Sequence, residues 1–377
     1  MFRIFGRKEV DDYFLLPTLP PSNNTNDDPN KSSWLIPTHG KSWNIPQWHQ
    51  PYPGGTRTVT TGGNFSCVWT TFVATSGKSV PMCVHPFPDF ISGVIAKEHR
   101  WPDCDLLPVL WRENQPNQVI RWFSITFWRQ RQPPLFVDIG ANIGSCVLEM
   151  LLSTEDSHIL AVEPHPMNRF ALEMTLRGLP TPLQDRVTLV PIGLGKENHQ
   201  VLEIFTGETN MGNSVLGKAI RDVPDQQIRS DRYPISVERL DSILLPPATT
   251  RTIPLVKLDA QGYECNVLEG MGVDLGRKIQ TIKFEVATHH LQEQNCLDLF
   301  ARLRSLGFHI RPVHNGKDDG RNQDNSQHKT KEKPKDNTIV QYIDTGEVFD
   351  VATDLVVSDY LAVRSARNTK AYTTTPS

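Results

Sequence analysis

The sequence has no apolar run approaching the length of a bilayer span, no cysteines spaced as CxxC, no GxGxxG and no excess of positive charge. Each absence removes a class. Without about 20 consecutive apolar residues, no helical membrane span is expected. Without CxxC, neither a zinc ribbon nor a thioredoxin-like redox pair is expected, and no other spacing of ligands demands a metal, so none is expected. A formal net charge of -3 argues against a nucleic-acid partner held by bulk charge. The local basic residues Arg121, Arg129 and Arg131 read as a solvated face or a helix end. The opening MFRIFGRKEVDDYF has basic charge but no apolar h-region, so no signal peptide is read there and the expected compartment is the cytoplasm. Asn-x-Ser/Thr triplets at Asn23, Asn30 and Asn64 are weak pointers to a secretory route.

Six cysteines are present. Cys146 and Cys265 fall inside apolar helical patterns and are expected to pack as small hydrophobes. Cys67, Cys83 and Cys104 are candidates for a disulfide only if the chain is secreted.

A hydrophobic content of 38% over 377 residues supports one large domain or two ordinary ones. Residues 1–64 are rich in Pro, Asn, Thr, Gly and Ser and read as an irregular leader. Residues 65–130 read as an extension packing on the main domain, with strand-like CVWTTFVAT and SVPMCVHP followed by helical ISGVIAKE and LLPVLWRE. The main domain is expected over 131–366, where short apolar strands alternate with amphipathic helices. LFVD, HILAVE, VTLVPI, IPLVKL and TIKFE are the strands. Helices follow at Ile143–Leu152, Asn168–Leu176, Tyr263–Met271 and about His290 to Leu306. VLEIF and ISVERL read as strands of an insertion. The polar segment 314–338 reads as a disordered insertion before two closing strands, VQYID and DYLAVRS, and 367–377 as a disordered tail. The alternation predicts an α/β fold with a mostly parallel, doubly wound sheet.

Such a sheet binds ligands outside the carboxyl ends of its strands. VDIGANIGS stands there, between the first strand and the first helix. Gly140 permits a tight turn, Asn142 tolerates left-handed geometry, and Gly144 permits close approach of a backbone or helix. The pattern is D-x-G-x-x-x-G, with Asp138 in place of the features that cradle a pyrophosphate. An acid there suits a ligand with an ammonium group and no phosphate. Glu163 ends the second strand, 19 residues past Gly144, where an acid takes ribose hydroxyls. An amino-acid ammonium plus a ribose without phosphate describes S-adenosylmethionine.

VDIGANIGS, AVEPHP, VKLDAQGYECNVLEGM and KFEV, in this order, resemble the FkbM family of S-adenosylmethionine-dependent methyltransferases, over roughly 134–312. The resemblance implies a class I methyltransferase (Rossmann-like) fold: a seven-stranded sheet with one antiparallel strand near its end and helices on both faces. It implies methyl transfer, usually to an oxygen of a small molecule or glycan acceptor. It places Asp138, Gly140, Asn142 and Gly144 in the methionine-side loop, Glu163 on the ribose, and Gly193 near the adenine. The family's K-x-D-x-x-G-x-E reads here as Lys257, Asp259, Gly262 and Glu264, with Asp259 facing the methyl group. Gln261 stands where the family often has an acid.

Methyl transfer from a sulfonium is an in-line displacement, and a hydroxyl acceptor must lose its proton. Asp259, Lys257, Glu285 and His289, or its neighbour His290, are the candidate catalytic residues. Lys257 equally suits an ion pair with Asp259 or Glu264, and Glu264 suits the start of a helix. GETNMGNSVLG, with Asn213 and Ser214, reads as a loop able to close over the site or as ordinary surface. The competing class is a binding protein that keeps the fold without the chemistry. A nucleotide-dependent oxidoreductase is disfavoured by the missing GxGxxG.

Overall fold

The computed structural model describes residues 59–62, 65–86, 88–114, 133–207, 209–218, 232–244, 252–313 and 357–364. The leader up to residue 58, Arg121, Arg129, Arg131, the three Asn triplet positions, the segment 314–338, VQYID and the tail 367–377 lie outside them.

Strands β1 (Val59–Gly62), β2 (Phe65–Val73) and β3 (Ser79–Val84) form an antiparallel sheet in that order. Helix α1 (Phe90–Glu98), a 3-10 turn at Pro102–Cys104 and α2 (Leu107–Glu113) follow. The doubly wound part then alternates β4 (Leu135–Ile139), α3 (Ser145–Ser153), β5 (His158–Val162), α4 (Pro166–Arg177), α5 (Thr181–Gln184) and β6 (Val187–Val190). An insertion contributes β7 (Gly193–Leu194), β8 (Gln200–Phe205), β9 (Val215–Leu216) and β10 (Tyr233–Glu238), a small sheet of order β7-β10-β8-β9. The rest is α6 (Leu240–Leu244), β11 (Ile253–Leu258), α7 (Glu264–Gly276), β12 (Ile279–Ala287), α8 (Thr288–Glu293), α9 (Leu299–Ser305), β13 (Phe308–Pro312) and β14 (Val357–Arg364).

The main sheet has seven strands in the order β13-β14-β12-β11-β4-β5-β6. Strand β14 runs antiparallel to both neighbours, while the pairings among β12, β11, β4, β5 and β6 are parallel. All residues of β4 and β11 are buried, as expected for central parallel strands covered on both faces. Alternation along β4 sends Phe136 into one core layer with α3, α4 and the N-terminal sheet, and Leu135, Val137 and Ile139 into the other, with α6, α7 and α9. The N-terminal sheet is joined to α4 by a hydrogen bond from Cys83 N to Thr175 Oγ1 at 2.8 Å.

Three sequence expectations need correction. Cys146 and Cys265 are buried, as their helical positions require, but neither is a free thiol. Cys146 is bonded to Cys104 and Cys265 to Cys296, and a third disulfide joins Cys67 to Cys83. The partners lie 42 and 31 residues away, so local periodicity carries no trace of the bond. The helix expected from about His290 to Leu306 is two, α8 and α9, with left-handed Asn295 (φ 56°) between them. The strand β13 was not anticipated, because only its first residue is buried.

Candidate functional site

Strand order reverses between β4 and β11, and the chain leaves both strands there in left-handed turns. Gly140 (φ 78°), Asn142 (φ 52°) and Gly144 (φ 95°) follow β4, and Gln261 (φ 51°) and Gly262 (φ 93°) follow β11. At Gly140 an added Cβ would lie 2.0 Å from the Asp259 carbonyl oxygen, so only glycine lets the two turns touch. Gly144 serves packing instead: a Cβ there would meet Leu172 Cδ1 of α4 at 2.3 Å.

These turns wall a cavity of about 290 Å³ at the carboxyl ends of the strands. Gly140, Asn142, Glu163, Gly193, Lys257, Asp259 and Glu285 all line it. Asp138 and Gly144 do not. Strand β4 runs one residue past Asp138 to Ile139, which takes the place at the wall. Asp138 is thereby sealed at 0% exposure, with neither carboxylate oxygen hydrogen-bonded, and Lys257 Nζ stands 3.7 Å from it. His289 is also not at the wall; its ring lies against that of His290, centroids 4.1 Å apart. Gly193 opens β7, the first strand of the insertion.

Glu163 holds the loop after β4. Its Oε2 accepts the Asn142 N–H at 2.7 Å and its Oε1 the His165 N–H at 2.8 Å. Burial nonetheless raises its pKa to about 7 against those hydrogen bonds. Burial likewise raises Asp138 to about 6, outweighing the attraction of Lys257.

At the contact of the two turns, Lys257 Nζ donates to Asp259 Oδ2 at 3.0 Å and to the Gly140 carbonyl at 3.3 Å. Burial alone would favour neutral Lys257, but the charges of Asp259 and Asp138 outweigh it and hold its pKa above the ordinary lysine value. Burial is the largest single influence on Asp259 and pushes its pKa up, but the charge and hydrogen bond of Lys257, the hydrogen bond from Gln261 and the charge of Lys283 together hold it below the ordinary aspartate value, so it stays ionised. Gln261 Nε2 donates both to Asp259 Oδ1 at 2.7 Å and to Glu285 Oε2 at 3.0 Å. Glu285 is raised well above the ordinary glutamate value by burial, and further by Asp259, Asp103 and Asp359. Glu264 is a turn clamp: its Oε1 accepts the N–H groups of Ala260 and Gly262 at 2.9 and 3.2 Å.

Sequence reasoning named none of the individual residues that the segment before residue 105 supplies to the wall. Phe90, Ile91, Trp101 and Asp103 line the cavity, and Phe90 meets Trp101 edge to face at 6.0 Å. No motif marks them. The loop Asn210–Ser214 lines the cavity too, fixed where Met211 N donates to Asp89 Oδ1 at 2.8 Å. Asn213 and Ser214 are both at the wall. Among the described residues, no group of three or more His, Cys, Asp or Glu is placed to hold a metal ion.

The strand order, with its single antiparallel strand β14 between β13 and β12, is that of the class I methyltransferases. Residues 138–310 match the model of the Methyltransferase FkbM domain. No curated protein showed significant sequence similarity to the chain. Similar solved structures include precorrin-6y C5,15-methyltransferase from Geobacter metallireducens, at 14% identity over 67% of this chain and 93% of that one, TM-score 0.29. The N-terminal domain of human METTL16 in complex with SAH is similar at 14% identity over 64% and 82% of the two chains, TM-score 0.27. A putative methyltransferase of an antibiotic biosynthesis pathway from Anabaena variabilis is similar at 14% over 52% and 65%, TM-score 0.24. Overlaps of this size say nothing about what this chain binds. Among the described residues, no helix is long and apolar enough to cross a membrane.

Proposed function

We propose that this chain is an S-adenosylmethionine-dependent methyltransferase acting on a hydroxyl of a small molecule or glycan. The observation that carries the reading is one cavity lined together by Glu163, the left-handed Gly140–Asn142 turn and the Asp259–Gln261–Glu285 chain. When bound, S-adenosylmethionine supplies a methyl group on a sulfonium, already a good leaving group.

The residues fit that group. Glu163 Oε1 is filled by the His165 N–H and the Asn168 amide, while Oε2 accepts one backbone N–H and keeps a lone pair for a ribose hydroxyl. Gly140, which has no Cβ, and Asn142, in left-handed geometry, bring backbone to the methionine side. Ile192, Gly193 and Leu194 offer an apolar slot for the adenine. Asp138, sealed behind the loop, acts through Lys257 rather than on the ligand: the two anchor the Gly140 turn against Asp259.

Asp259 and Glu285 divide the acceptor chemistry. Asp259, ionised and neutralised by Lys257, orients the acceptor hydroxyl. Glu285, whose pKa is raised by burial and by neighbouring carboxylates, is in its ionised form the stronger base of the two, and that is the form that acts. It takes the hydroxyl proton as the oxygen attacks, and Gln261 keeps the two carboxyl groups in register. His289 is given no part. Phe90, Trp101 and Asp103 face the acceptor.

Calorimetric titration of S-adenosylmethionine and S-adenosylhomocysteine tests the reading, with NAD as control and Glu163→Ala beside the wild type. Micromolar binding abolished by the substitution is expected. Binding of NAD alone, or of none of the three, overturns it. Cofactor binding without turnover on a broad panel of hydroxyl acceptors would leave a binding protein on a methyltransferase fold.

A further inference from the structure

The segment Asp89–Cys104 is attached to the rest of the site at both ends. At its start, Asp89 Oδ2 caps α1 by accepting the Ser92 N–H at 2.9 Å, while Oδ1 accepts Met211 N–H and Phe90 N–H donates to the Thr209 carbonyl at 2.9 Å. At its end, Cys104 is covalently bonded to Cys146 in the first turn of α3. Cys146 is two residues beyond Gly144, the last left-handed residue of the cofactor-side loop, and itself lines the cavity. Trp101 and Asp103, the wall residues nearest the bond, belong to a 3-10 turn of three residues and its preceding residue. So short a turn has little hydrogen bonding of its own to hold its shape. Pairing accounts for all six cysteines of the chain.

We propose that the Cys104–Cys146 disulfide is a working part of this pocket: it locks the Trp101–Asp103 wall onto the cofactor helix, and the protein acts in its oxidised form, in an oxidising compartment. The proposal rests on reading the cavity as the methyl-transfer site. Closure joins two thiols by exchange with a disulfide-bearing oxidant. One bond forms between the two sulfurs, and the oxidant's disulfide takes both electrons and leaves as two thiols. Cys104 is fully buried and Cys146 is 4% exposed, so an attacking thiolate reaches the bond only when the wall opens. The device is therefore a lock set during folding, not a surface sensor. Disulfides persist in oxidising compartments and are kept reduced in the cytosol. Three of them in one chain weigh against the cytoplasmic expectation drawn from its opening residues.

The test uses the full chain produced under oxidising conditions. Alkylation without reductant, read by intact mass, is expected to modify no cysteine. Hydrogen exchange of peptides over 90–105 and calorimetry with S-adenosylhomocysteine then compare the wild type with Cys104→Ala/Cys146→Ala, and with Cys67→Ala/Cys83→Ala as the control pair. Loss of the lock is expected to raise exchange over 90–105 and to weaken binding about tenfold, with the control pair unchanged. Free thiols at 104 and 146, or a lock variant with wild-type exchange and affinity, overturn the proposal. If the lock variant does not fold, the wild type is treated with a phosphine reductant with and without saturating S-adenosylhomocysteine. Ligand should slow reduction of Cys104–Cys146 and not of Cys67–Cys83; equal rates overturn the proposal. If the wild type binds no S-adenosylhomocysteine, the functional reading fails, while thiol mass and exchange still decide the lock.

Discussion

Glu163, at the end of β5, accepts the backbone N–H of Asn142 in the loop after β4, at 2.7 Å. The residue assigned to the ribose is thus also the residue that fixes the loop assigned to the methionine moiety. Asn142 sits in left-handed geometry, and the carboxylate helps to keep it there.

Glu163→Ala should therefore cost more than one ligand contact. Loss of a charge-assisted anchor and of the ribose hydrogen bond at Oε2 should weaken S-adenosylhomocysteine binding about a hundredfold. Glu163→Gln, which retains one acceptor, should fall between the variant and the wild type. Calorimetry at one pH orders the three; equal affinities for all would remove Glu163 from the site.

Binding should depend on pH through the same residue. Its pKa of about 7 in the free protein means that it is partly protonated at neutral pH. Ribose hydroxyls donate to the ionised form, so binding lowers that pKa, and affinity rises as pH increases through 7 and is lost as it falls. A change of about tenfold between about pH 6 and about pH 8 is expected, flattened in Glu163→Gln. Calorimetry across that interval in the two proteins checks it.

The stability of the cofactor-free protein should move the other way. Glu163 and Glu264 are raised to about 7 and Asp138 to about 6, so the unfolded chain releases these protons first. Their contribution is fully present below the unfolded values near 4 and is lost as pH rises through the folded values of 6 to 7. Urea unfolding at about pH 5 and about pH 8 should show a smaller drop in Glu163→Gln than in the wild type.

Removing Lys257 should leave Asp138 and Asp259 with their shared cation gone. Lys257→Met is expected to destabilise the fold by about 3 kcal/mol, the usual scale for breaking a buried pair from one side. Adding Asp138→Asn should recover part of that loss, because it removes the buried charge that has no hydrogen bond. Denaturant unfolding of the single and double variants decides; simple additivity would deny the coupling.

Glu285→Gln should abolish methyl transfer while S-adenosylhomocysteine affinity changes less than about threefold. A glutamine keeps the shape and the hydrogen bond with Gln261 but cannot take a proton. Turnover in this variant near the wild-type rate would assign the base elsewhere.

Much of the site was legible in the chain because it is local. VDIGANIGS encodes a strand, a left-handed turn and a helix start within nine residues, since a β-carbon at Gly140 has no room and apolar residues on both faces mark a central parallel strand. Glu163 and Asp259 follow from the same logic at neighbouring strand ends. The period of 2 and the period of 3.6 were enough for the doubly wound class. They were not enough for β13, which has only one buried residue, or for the break between α8 and α9.

What the tertiary structure decided is what joins distant positions. Whether Asp138 faces the ligand or lies behind it depends on where β4 stops, a single-residue matter that strand pairing sets. Whether His289 reaches the cavity depends on how α8 turns away from β12. The pairing of Cys104 with Cys146, and the arrival of Phe90, Trp101 and Asp103 at the pocket, depend on the N-terminal segment packing over α3. Burial made Cys146 look like a small hydrophobe, and burial is all that a helical period reports. A covalent partner 42 residues away exists only once the fold has brought the two sulfurs together.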